Sequence, residues 1–214
     1  MLIGIWDLLF HPDAFFARVS KERINQIPPL IIIGTGIFFF SIIHLMALIF
    51  PNRGGWSFLV FQGLAQKIIV SLITASVVKP MIIWGLFSIV FYCISRVAGG
   101  TGSFYATIQN VGYGMLPWSV SVIVPFIAYV YNFVSYTGGP VIGGYCGIWL
   151  MHPIVCSLPL LGVIVWSCYL WTIAVRYTHG LPLKKAAVIT IVPVSVFLFI
   201  SLLPELCYFW RLCL

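Results

Sequence analysis

Gly99-Gly100-Thr101-Gly102-Ser103-Phe104-Tyr105-Ala106-Thr107-Ile108-Gln109-Asn110-Val111-Gly112-Tyr113-Gly114-Met115-Leu116-Pro117 decides how this chain is read. A glycine-rich polar turn opens directly into an apolar helix. That helix carries an amide pair, two glycines and a proline. In lipid, exposed backbone and polar side chains are costly, so such a segment must be buried against other helices or line a cavity. Gln109, Asn110, Gly112, Tyr113, Gly114 and Pro117 form the candidate polar element.

Composition places that element at membrane depth. Of 214 residues, 62% are hydrophobic and only 7% are charged, and mean hydropathy is +1.11. Soluble domains carry roughly 25% charged residues. The chain is therefore an integral membrane protein, with no segment polar enough to form a separate soluble domain. The formal net charge is +7. No basic stripe with interleaved aromatics accompanies it, so nucleic acid is not expected as a partner. The excess fits the positive-inside bias and contact with anionic lipid.

Working outward, the quoted stretch opens a third span over 103–131. Apolar runs of about 20 residues, the length a membrane helix needs, place a first span at 28–50, a second at 79–96, a fourth at 148–175 and a fifth at 186–206. Pro153, Pro159 and Pro193 are expected to bend the last two. From Trp56 to Ser95 the chain is apolar for roughly 40 residues, about 60 Å of helix and twice a hydrocarbon core. Residues 56–78 read as a helix along the outer interface, with a re-entrant hairpin or an extension of the second span as open alternatives. The fold class is all-α, with five transmembrane helices, an N-terminal amphipathic helix and an interfacial helix before the second span. Residues 1–26 form the amphipathic segment and 27–214 the membrane domain.

In the N-terminal segment, Pro12 suits a first helical turn and Asp13 the positive end of the helix dipole. Phe15, Phe16 and Val19 recur at helical spacing, with Arg18, Lys21, Glu22 and Arg23 on the other side. This predicts an interfacial helix, with Phe15 and Phe16 in lipid or packed under the bundle and Arg18, Lys21 and Arg23 toward headgroups. No signal peptide is evident, so the first span is expected to be retained. Five spans put the termini on opposite sides. With the N-terminus cytoplasmic, the inside carries Arg18, Lys21, Arg23, Arg96, Arg176, Lys184 and Lys185, and the outside Arg53, Lys67, Lys79 and Arg211. The charge rule thus predicts a multi-pass cell-membrane protein with the N-terminus in and the C-terminus out.

The order of these parts resembles the Yip1 domain family in its short prokaryotic form. Pro12-Asp13-Ala14-Phe15-Phe16 matches the family's N-terminal Pro-x-x-Phe-Phe pattern. Gly99-Gly100-Thr101-Gly102-Ser103-Phe104 matches its glycine-rich turn, and Gly112-Tyr113-Gly114-Met115-Leu116-Pro117 its Gly-Tyr-x-x-x-Pro element. His179-Gly180-Leu181-Pro182-Leu183-Lys184-Lys185-Ala186 stands where the family has a basic turn before its last span. The resemblance covers nearly the whole chain and implies the five-span fold. Eukaryotic relatives associate with Rab-type GTPases and carry a long N-terminal region and an Asp-Leu-Tyr-Gly-Pro element. Neither is present here, so a Rab-type GTPase is not the expected partner.

No catalytic motif occurs, and the only acidic residues are Asp7, Asp13, Glu22 and Glu205. A membrane hydrolase would have to combine His44 or His152 with Glu205, so no enzyme is expected. Cys146, His152 and Cys156 lack a zinc-ligand spacing, and no metal or cofactor is expected. His44 reads as a packing residue, and whether Cys207 and Cys213 are bridged is left open. Lys79 and Glu205 are candidate membrane-depth charges that either pair or snorkel to headgroups. The leading expectation is a non-enzymatic scaffold or membrane-organising protein, with lipids, protein partners or further copies of itself as its contacts. The alternative is a channel or transporter for a small solute or ion. Its ligands would be Gln109, Asn110 and carbonyls freed near Pro117 in the third span.

Overall fold

A computed structural model describes residues 2–49, 77–135 and 153–213, with side chains described over 6–42, 77–123, 126–127 and 161–200. Among the described residues the structure is helical throughout, with no strand. The described residues form eight helices: α1 (Leu2–Phe10), α2 (Pro12–Val19), α3 (Ile27–Ile49), α4 (Lys79–Val97), α5 (Phe104–Tyr113), α6 (Leu116–Ser135), α7 (Pro153–His179) and α8 (Leu183–Cys213). Among the described residues three stretches are long and apolar enough to cross a membrane, Lys79–Val97, Leu161–His179 and Leu183–Ile200, and Ile27–Ile42 is a shorter apolar helix.

Proline marks where helices begin. Pro12, Pro28, Pro80, Pro117 and Pro153 all fall in the first turn of α2, α3, α4, α6 and α7. There the missing N–H has no intrahelical acceptor to lose and the fixed φ is already helical. The same rule corrects the expected third span. Residues 103–131 do not form one helix: α5 ends at Tyr113, residues 114–115 form a turn, and α6 begins at Leu116. In a continuous helix Pro117 would remove a hydrogen bond to the Tyr113 carbonyl and clash with it. The chain restarts instead, with Pro117 in the new first turn. The expected interfacial helix at 56–78 lies outside the described residues, apart from the π-turn at Val77 and Val78 that leads into α4.

The chain divides into two compact units. One comprises Gln26–Gly85 and Met115–Ser167. Within it α3 and α6 pack along each other, and the Ser119 hydroxyl donates to the Ile32 carbonyl at 2.8 Å. A Cβ on Gly36 would stand 2.8 Å from Ser119 Oγ, so glycine is what permits this approach, as at small-residue interfaces of membrane helices. Phe39 and Phe126 meet at 5.1 Å between ring centroids.

The other unit comprises Met1–Asn25, Leu86–Gly114 and Cys168–Leu214. Its core is an aromatic cluster in which Phe87 lies 5.4 Å from Phe91, 5.1 Å from Trp171 and 5.4 Å from Phe197. The hydroxyls of Thr172 and Thr190 join α7 to α8 at 2.7 Å. Both α4 and α7 end in Schellman turns. After α4, Gly99 adopts φ 91°, its N–H donates to Arg96 O at 3.2 Å, and Gly100 N–H donates to Ser95 O at 2.8 Å. After α7, Gly180 adopts φ 66° and Leu181 N–H donates to Arg176 O at 3.2 Å.

Candidate functional site

The polar side chains of α5 face the interior of their unit. Ser103 begins the helix in an extended conformation, and its hydroxyl accepts from Ala106 N–H at 3.2 Å, the usual N-cap arrangement. From there Thr107, Gln109, Asn110, Val111, Gly112 and Tyr113 are all buried.

Thr107, Gln109 and Asn110 each have a partner that is distant in sequence. Gln109 Oε1 accepts the Asn25 N–H at 2.8 Å. Asn110 Nδ2 donates to Thr178 Oγ1 at 2.6 Å, and that hydroxyl donates to Ala174 O at 2.7 Å. Thr107 Oγ1 lies 3.0 Å from His179 Nε2. Because Thr107 also donates to Ser103 O at 2.9 Å, its single proton is used, and His179 is assigned as the Nε2–H tautomer donating to Thr107. The Trp171 indole N–H donates to Val111 O at 3.0 Å. A Cβ on Gly114 would overlap the indole ring of Trp171.

The glycine-rich turn completes this arrangement. Thr101 N–H donates to His179 O at 3.2 Å. A Cβ on Gly100 would stand 2.8 Å from His179 Cβ, and one on Gly102 would overlap the Thr178 carbonyl. The turn therefore lies flat on the C-terminal end of α7. Arg96 Nη1 donates to Gly100 O at 3.2 Å, and the rings of Tyr92 and His179 are 6.1 Å apart.

A hydroxyl beside an imidazole could suggest a nucleophile and its base, but the geometry argues otherwise. A working pair needs a third group that orients the base and an exposed hydroxyl. Here His179 Nδ1 is buried without a hydrogen-bond partner, Thr107 is buried, and the Thr107 proton is directed at its own helix. Ser95 Oγ and Asn110 Oδ1 are likewise buried without partners. Among the described residues no group of three or more His, Cys, Asp or Glu could hold a metal ion.

The N-terminal helices pack on the same unit. Phe15 and Phe16 are buried in protein, with edge-to-face contacts to Tyr113 at 5.0 and 6.4 Å. Asp13 Oδ1 pairs with Arg176 at 3.3 Å and accepts from the Tyr177 hydroxyl at 3.4 Å. Arg18 pairs with Asp7 at 2.8 Å, whereas Lys21 and Arg23 are exposed. Pro117 is fully buried. Lys79 is exposed at the start of α4, and the side chains of Glu205, Cys207, Cys213 and His44 lie outside those described.

Sequence reasoning brought the amides to a buried position but missed His179, reading it only as part of a basic turn. The available signal was a histidine at a helix end, followed by a positive-φ glycine and matched by a second glycine turn. The aromatic pair on α1, Trp6 and Phe10, was also missed.

The family model of the Yip1 domain matches residues 6–203. An uncharacterized protein of Methanocaldococcus jannaschii is 28% identical over 145 residues, covering 63% of this chain and 95% of the relative. No solved structure matches significantly.

Proposed function

Since the chain belongs to the Yip1 domain family, we propose that it is a non-enzymatic, five-span membrane protein that organises its bilayer or scaffolds partners in it. The spans are α3, α4, α5 with α6 as a broken third span, α7 and α8. The N-terminus and the turn between α7 and α8 lie in the cytoplasm and the C-terminus outside, with the protein in the cell membrane. Its partners are lipids, anionic ones in particular, and other proteins or further copies of itself. The Yip1 family is not an enzyme family, and no catalytic arrangement occurs among the described residues.

One observation carries this reading over the transporter alternative. The amides that would serve as ligands are buried in the protein, with Gln109 Oε1 accepting from Asn25 and Asn110 Nδ2 donating to Thr178, while Asn110 Oδ1 is buried without a partner. The glycine beside them is filled by the Trp171 ring. Small residues here support close packing with polar side chains joining the helices, rather than a cavity. Purified protein in liposomes is expected to show no solute or ion flux above empty vesicles. A saturable flux that Asn110→Ala abolishes would replace this reading with a transporter. Cysteines at Ser20 and Leu183, both exposed, are expected to resist labelling from outside intact cells, and labelling of either reverses the orientation.

A further inference from the structure

Helix α1 presents two aromatic rings that make no other ring contact among the described residues. Trp6 and Phe10, one turn apart, stack at 5.4 Å with planes 14° from parallel. They are 61% and 65% exposed, while Leu8 on the same helix is 1% exposed. The helix is thus fixed on one side, and the ion pair from Asp7 to Arg18 at 2.8 Å fixes it further. The other face is left as an apolar ledge. Phe15 and Phe16, which the sequence offered either to lipid or to the bundle, are occupied by Tyr113.

Charge on the same unit identifies what covers the ledge. Its described acids are within ion-pair distance of cations: Asp7 and Glu22 of Arg18, and Asp13 of Arg176. Lys21, Arg23, Lys184 and Lys185 are exposed and have no acidic partner among the described residues. Exposed tryptophan and phenylalanine on a unit that also carries exposed cations without acidic partners are what the headgroup boundary of an anionic leaflet accepts. Two rings are too little for a protein partner: each buries about 150–250 Å², against about 800 Å² per side in a stable interface.

We propose that α1 is an in-plane membrane anchor, with Trp6 and Phe10 inserted at the boundary between headgroups and acyl chains of an anionic leaflet, and the unpaired cations on the phosphates. The proposal rests on the membrane-organising reading and names its partner as anionic phospholipid.

The test uses the full chain in nanodiscs of phosphatidylcholine, with or without phosphatidylglycerol. The discs carry a lipid with a photoactivatable group near its glycerol backbone and a second lipid with one deep in its acyl chain. Adducts mapped by mass spectrometry are expected from the shallow probe on Trp6 and Phe10, with more in the anionic discs, and none on Phe15 or Phe16. The deep probe is expected on Ile89 and Val196, exposed at 51% and 53% near the middle of α4 and of the apolar part of α8. Labelling of Ile89 and Val196 without Trp6 and Phe10 overturns the anchor alone, and labelling of none of the four overturns the membrane reading itself. The variant with Trp6→Ser and Phe10→Ser is expected to melt with the parent in detergent. It should lose the rise in melting temperature that anionic discs give over zwitterionic ones. A variant that instead converts a dimer to a monomer assigns the ledge to a second copy and overturns the proposal.

Discussion

The indole nitrogen of Trp171 donates to the carbonyl of Val111 at 3.0 Å, across a place where Gly114 has no side chain. Ring and glycine are complementary: the hydrogen bond needs the ring at that depth, and the depth needs the missing Cβ. The pair fixes α7 against the end of α5.

Gly114→Leu is therefore expected to lower stability by about 1–3 kcal/mol or more, as overpacking does. Gly85→Leu, with nothing within 4 Å of its would-be Cβ, is expected to change it little. Reversible unfolding in mixed detergent micelles compares the two. Equal effects would remove the argument for a close fit.

Thr107→Val keeps the shape of the side chain and removes the acceptor of His179 Nε2. A buried donor left unpaired costs about 1–3 kcal/mol. That loss is expected in the same assay, and Thr107→Ser is expected to retain most of the stability.

Helix α2 is attached by aromatic burial rather than by its ion pair. The Asp13 and Arg176 side chains are 50% and 40% exposed, and a pair in that setting contributes about 0–1 kcal/mol. Phe16 is fully buried, and truncation of such a ring costs about 3–5 kcal/mol. Phe16→Ala is expected to open the N-terminal segment to limited proteolysis, while Asp13→Asn leaves it protected at high salt.

How far the sequence reaches is visible at α5. The glycines and amides there are enough to read burial and close approach, because lipid tolerates such groups no other way. That Trp171 fills Gly114, or that Thr178 receives Asn110, is not readable, because those partners lie 57 and 68 residues away in an apolar run without periodic signal. The end of α5 was legible in principle, since Pro117 forbids a continuous helix through Tyr113, yet the unbroken hydropathy outweighed it. At the N-terminus the helical spacing of Phe15 and Phe16 shows an apolar face. Spacing does not say whether lipid or Tyr113 covers it. The Yip1 motifs, by contrast, lie in turns and helix starts, where local geometry restricts residue choice.

The bond from Thr101 N–H to the His179 carbonyl joins two helix ends that are each closed by their own glycine turn. Neither end can fray without releasing a group of the other, so the last turns of α4 and α7 open as one cooperative event. The amides of Gly100, Thr101 and Leu181 are accordingly expected to exchange with deuterium at a common rate, far slower than isolated helix ends. Gly102→Ala, which presses on the Thr178 carbonyl, is expected to accelerate all three together.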